Sequence, residues 1–146
     1  MSSLRVGTIV LSAIATTVLV LLAGCGSKAG QDHDPFASDG TTPRPEFSAT
    51  VTRFVDASND SDATSLKALV LSSTTPKPDV AAYLRRYGGR GAKVVSMGQS
   101  TLDTSDADVV LSYQCGAGRS VRVYLLYVWD AGHWRPELNL PAMQHC

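Results

Sequence analysis

The segment Ser120-Val121-Arg122-Val123-Tyr124-Leu125-Leu126-Tyr127-Val128-Trp129-Asp130 decides the architecture. Side chains alternate across a strand, so Val121, Val123, Leu125, Tyr127 and Trp129 share one face and Arg122, Tyr124, Leu126 and Val128 share the other. Both faces are largely apolar, which predicts a central strand whose second face is covered by a partner or another element. Downstream, Asp130-Ala131-Gly132 reads as a hairpin turn into a last strand over 133–140, where Pro136 is tolerable at an edge or a bulge. Upstream, Gly116-Ala117-Gly118 breaks the chain after a strand over 107–115, in which Val109, Leu111, Tyr113 and Cys115 face one way. A further strand over 92–101 ends near the polar turn Asp103-Thr104-Ser105-Asp106, where aspartate is an ordinary turn residue.

Before Gly91 the period changes from 2 to 3.6. Phe47, Val51, Phe54 and Val55 fall on one helical face and predict a helix over 46–57. Ser58-Asn59-Asp60-Ser61-Asp62 is a turn rich in capping side chains, and Leu66, Leu69 and Val70 mark a short second helix. A third follows Pro76, with Pro78 in its first turn, Val80, Leu84 and Tyr87 as its apolar stripe and Gly88-Gly89 as its stop. Helices first and a meander afterwards means an α+β domain over 46–146, its N-terminal helices packed on one face of a curved antiparallel four-stranded sheet.

This order, the helix carrying Phe47 to Val55, the helix from Asp62 to Val70 and the terminal Gly132-His133-Trp134-Arg135 resemble the nuclear-transport-factor-like (SnoaL-like) cone fold over residues 46–140. Other helix-covered four-stranded sheets, such as a cystatin-like domain, share the same pattern. The resemblance implies a cavity between sheet and helices, which some members use as isomerases or dehydratases with a pocket aspartate beside tyrosine or histidine. No local motif assigns those catalytic residues here. Tyr113, Tyr127 and Trp129, on inward-reading strand faces, are the candidates for lining such a cavity, with core packing as the alternative.

The chain opens with a different signal. Residues 6–24 carry no charge and follow Arg5, the pattern of a signal peptide. The run ends in Leu22-Ala23-Gly24-Cys25, which resembles the lipobox of bacterial lipoproteins: a branched apolar residue, two small residues and the cysteine that receives a diacylglyceryl group. The resemblance implies cleavage before Cys25, lipidation of its sulfur and an extracytoplasmic protein held on the bacterial cell membrane, since two or three acyl chains bind firmly where one does not. From Cys25 to Pro45 the residues are mostly Gly, Ser, Lys, Ala, Gln, Asp, Pro and Thr, with Phe36 the only large apolar one, so 25–45 reads as a flexible tether. Asp32-His33-Asp34 within it lacks the preformed geometry of a metal site.

Acylation of Cys25 leaves Cys115 and Cys146 as a single possible disulfide outside the cytoplasm, against the alternative of two free thiols. A zinc site from Cys115, His145 and Cys146 lacks a fourth ligand. No Gly-x-Ser-x-Gly elbow, His-Glu-x-x-His pair or phosphate-binding glycine loop is present, and the three histidines, His33, His133 and His145, lie in tether, hairpin and tail. No catalytic residue, metal or cofactor is therefore assigned. With 13 basic against 13 acidic residues among 146, the chain has no basic footprint for nucleic acid. Its only basic cluster, Arg85, Arg86 and Arg90, suits either anionic headgroups and wall polymers or a helix C-terminus. The expectation is a membrane-anchored domain that binds a small ligand or another envelope protein, with a cavity enzyme as one alternative and a homodimer through the Arg122, Tyr124, Leu126 and Val128 face as another.

Overall fold

The computed structural model describes residues 33–73, 77–103 and 105–146. The expected signal peptide over 1–24, Cys25, residues 26–32, Pro76 and Thr104 lie outside the described residues. Three helices, α1 (Pro45–Asn59), α2 (Ala63–Leu69) and α3 (Val80–Tyr87), precede four strands, β1 (Lys93–Gln99), β2 (Ala107–Gln114), β3 (Ser120–Asp130) and β4 (His133–Pro136), and a 3-10 turn at Leu140–Ala142. The sheet is an antiparallel meander in the order β1-β2-β3-β4, so the protein is α+β and β3 is central.

Local chemistry explains each helix. Pro45 at the start of α1 loses no hydrogen bond there, and the stripe of Phe47, Val51 and Phe54 is buried. Asp62 caps α2 by accepting from the amides of Thr64 and Ser65 at 2.9 and 3.1 Å. Asp79 caps α3 by accepting from the amide of Ala82 at 2.8 Å. The third helix therefore begins after Pro78 rather than including it. Its stop is enforced by close approach: a Cβ on Gly88 would lie 2.6 Å from the Leu84 carbonyl oxygen and 2.8 Å from Ser61 Oγ.

Strand ends differ from expectation for equally local reasons. Asn59, at the end of α1, accepts from the amide of Ala92 at 2.6 Å and donates to its carbonyl at 3.2 Å, which holds Ala92 out of β1. Ser100 turns away to donate its amide to the Asp106 carbonyl. β4 stops at Pro136, which has no amide to continue the ladder; its carbonyl accepts from Leu71 at 3.0 Å, covering that edge. The β3–β4 turn uses Ala131 and Gly132, both at positive φ, the geometry that matches strand twist in a two-residue hairpin.

The core lies between the helices and the inner sheet face. Ala107, Val109, Leu111 and Tyr113 of β2 pair with Tyr127, Leu125, Val123 and Val121 of β3. All but Val121, which is half-buried, are closed off from solvent. Phe54 of α1 meets Tyr83 and Tyr127, and Tyr83 of α3 meets Tyr113, so the helices cover this face directly.

The tether expected over 25–45 is corrected by residues 33–44, which fold onto the domain. Phe36 is completely buried and packs edge-on against Phe47 with ring centroids 5.7 Å apart. A short bridge pairs Phe36 with Pro43, Asp34 accepts from the Phe36 amide at 3.0 Å, and Arg44 Nε donates to the Phe36 carbonyl at 3.1 Å. The turn between them is built by Asp39, which accepts from Thr42 Oγ1 and from the amides of Thr41 and Thr42. Those bonds, the Thr42 hydroxyl first, hold its carboxyl down at about 2.

Candidate functional site

The inward-reading aromatics occupy the place where a cavity would be. Tyr113 and Tyr127 are completely buried. The Tyr113 hydroxyl is hydrogen-bonded to that of Tyr83, whose oxygen also lies 3.0 Å from Ser58 Oγ at the end of α1. Burial pushes the Tyr113 phenol up to about 12, and burial first, then the neighbouring phenols, pushes Tyr83 and Tyr127 well above the ordinary range. They are neutral phenols near neutral pH, and among the described residues the hydroxyls of Tyr83 and Tyr113 are hydrogen-bonded to each other and to Ser58, not to a carboxylate or histidine. Among the described residues the Tyr127 hydroxyl has no hydrogen-bond partner, though it is fully enclosed.

Trp129 stands apart from these tyrosines. It is half-buried at the rim, stacked on His33 with centroids 4.2 Å apart and an interplanar angle of 15°, and edge-on to Trp134 at 5.4 Å. Phe47 contacts Trp134 as well, so His33, Phe36, Phe47, Trp129 and Trp134 form one aromatic seam joining the N-terminal segment to the sheet. Sequence reasoning missed this seam because His33 and Phe36 sit in a polar stretch. The available signals were two local turn formers, Asp34-Pro35 and Asp39-Gly40, around an isolated phenylalanine.

Cys115 and Cys146 are joined by a disulfide, with Cα atoms 4.9 Å apart. The tail that it ties down is also held by Tyr87, whose hydroxyl donates to the Gln144 carbonyl, and by Arg86, whose Nη1 donates to the Leu140 carbonyl at 3.0 Å. Arg86 is thus engaged within the fold, which takes the middle charge out of the basic cluster at 85, 86 and 90. His133, the first residue of β4 after the turn, is exposed.

A surface cleft of ≈ 350 Å³ lies between α1 and α2, with Arg53, Asp56 and Asp60 on one wall and Asp62 and Ser65 on the other. None of Tyr113, Tyr127 and Trp129 lines it. Asp62 is committed to capping: the Ser65 hydroxyl and backbone lower its carboxyl, so it is an acceptor and no proton donor. Among the described residues no group of three or more His, Cys, Asp or Glu side chains could hold a metal ion. No helix among them is long and apolar enough to cross a membrane.

The outer sheet face offers a second surface. Cross-strand pairing puts Val110 beside Tyr124, Asp108 beside Leu126, Ser112 beside Arg122 and Arg135 beside Val128. Tyr124 is 67% exposed, while Val110, Leu126 and Val128 are only half-covered. Compared with protein-family models, with curated proteins and with solved structures, the chain matches none.

Proposed function

We propose that the chain is a bacterial lipoprotein, anchored outside the cytoplasm through lipidated Cys25, whose domain binds a small ligand or another envelope protein and performs no chemistry. The supporting observation is the filled interior. In a cone-like fold the space between helices and sheet is where an enzyme keeps its cavity. Here that space is taken by Phe54, Tyr83, Tyr113 and Tyr127, all completely buried, with three hydroxyls satisfied by one another through Ser58 or left unpaired. An isomerase or dehydratase needs an open pocket in which a carboxylate or histidine meets a tyrosine. Binding then falls to the surface, at the α1–α2 cleft and the outer sheet face.

The anchor rests on Leu22-Ala23-Gly24-Cys25 and the uncharged run before it. Its test is metabolic labelling with radioactive palmitate in a bacterial host. The expected result is label in the wild-type chain, recovery with membranes, and loss of both in Cys25→Ala. An unlabelled wild-type chain, or a Cys25→Ala variant that stays with membranes equally well, overturns the reading.

A further inference from the structure

The outer sheet face carries an ordered arrangement of charge that the inner face lacks. Its rows run across the strands: Lys93, Ser112 and Arg122; then Ser96, Val110 and Tyr124; then Gly98, Asp108 and Leu126. Glu137 follows beside Leu126, to whose carbonyl it donates its amide at 2.8 Å. Lys93 and Arg122 therefore occupy one end, Val110 and Tyr124 the middle, and Asp108 and Glu137 the other end, beyond which Arg135 lies beside Val128 with its charge paired to Asp130. None of Lys93, Arg122, Asp108 and Glu137 has an ion pair among the described residues, where the recorded pair is Arg135 with Asp130 at 3.3 Å. The carboxylates crowd one another. Asp106 at the same end has its carboxyl raised, by burial first and then by Asp103, Glu137 and Asp108.

We propose that this face binds the same face of a second copy of the chain, about a two-fold axis that lies in the interface and runs across the strands along the Ser96–Val110–Tyr124 row. That rotation reverses the strand direction, so Tyr124 and Val110 meet their own counterparts. The Lys93–Arg122 row of each copy then lies over the Asp108–Leu126 row and Glu137 of the other. Arg122 and Leu126 stand equally far from Tyr124, two residues either way, or roughly 7 Å along the strand. The surface is thus self-complementary under one rotation, the condition for an isologous dimer, and each salt bridge forms twice. An arginine arriving at the acidic end also relieves the repulsion around Asp106.

The area sets the strength. Four strands at ~4.8 Å spacing and about eight residues long give a face of roughly 500 Å². A standard interface buries about 800 Å² per partner, so the dimer is weak in free solution. Confinement of both copies to one membrane raises their effective concentration, and in that respect the strength of the dimer rests on the proposed anchor.

The test is oxidative cross-linking of the full chain in the membranes of a bacterial host, with cysteine placed at exposed Ser96 or at Tyr124, and at Thr52 on α1 as a control. The axis row predicts a covalent dimer of twice the chain mass from Ser96→Cys and from Tyr124→Cys, and monomer from Thr52→Cys. Adding Arg122→Glu lowers the yield by about tenfold or more, and adding Asp108→Arg to that restores it. Retention of the Cys115–Cys146 bond reports that each variant is folded. Monomer at both axis positions, cross-links to a different protein, or indifference to charge reversal overturns the dimer. Chain found only in soluble fractions overturns the anchor instead, and the cross-linking pattern is then read there.

Discussion

Residues 33–44 and residues 137–146 close the two ends of the same core by opposite means. The N-terminal segment is held by packing: Phe36 sits among Phe47 and its neighbours, and His33 stacks on Trp129. The C-terminal tail is held by a covalent bond and by polar contacts, Cys146 to Cys115, Gln144 to Tyr87 and Leu140 to Arg86. The core beneath follows suit. Tyr83 and Tyr113, next to Tyr87, have hydroxyl partners, whereas Tyr127, in contact with Phe47, has none among the described residues. One end is packed and aromatic; the other is tied and hydrogen-bonded.

Phe36→Ala is the severest way to break this contrast. Deleting a fully buried phenyl costs about 3–5 kcal/mol, a large part of the ~5–15 kcal/mol that holds a domain of this size. Urea unfolding of residues 33–146, which include the whole core cluster and the disulfide, is expected to show that loss, together with faster proteolysis within 33–44. A loss below about 1 kcal/mol would mean that the segment rests on the surface rather than in the core.

Cys146→Ser tests the other end. The disulfide closes a loop with a sequence separation of 31. In the chain-entropy model its removal costs about 3–4 kcal/mol, mostly by freeing the unfolded chain. The folded signature should therefore survive at low denaturant, with the near-ultraviolet signal of the aromatic seam retained. Loss of that signal before any global unfolding would show that the tail also organises the far end.

The contrast also explains what could be read in advance. β2 and β3 were legible because alternation over eight and eleven residues leaves few other readings. The tail was legible because, with Cys25 expected to be lipidated, Cys115 and Cys146 have one pairing. The N-terminal segment was not, because twelve residues rich in Asp, Pro and Thr look like a solvated linker, and Phe36 is the only large apolar residue among them. Tyr83 was missed within α3 because an eight-residue helix lets Leu84 stand in for it on a broad apolar face. Tyr113 and Tyr127 were placed inward correctly, but period alone says which way a side chain points, not whether space is left beside it.

The smallest effects sharpen the comparison most. Tyr113→Phe removes a hydroxyl that is bonded to Tyr83, so about 0.5–1.5 kcal/mol should be lost, with Tyr83 still held by Ser58. Tyr127→Phe removes an enclosed hydroxyl that has no partner. Burying such a group costs about 1–3 kcal/mol, so deleting it at unchanged ring packing should be neutral or stabilising by up to about 1 kcal/mol. Both variants keep the aromatic volume, so the denaturant slope should not change, and the difference in midpoint isolates the hydroxyl. If Tyr127→Phe loses as much as Tyr113→Phe, the Tyr127 hydroxyl is satisfied in the folded protein and the packed end is hydrogen-bonded as well. If the two differ in sign, the division between a packed end and a hydrogen-bonded end runs through the core itself.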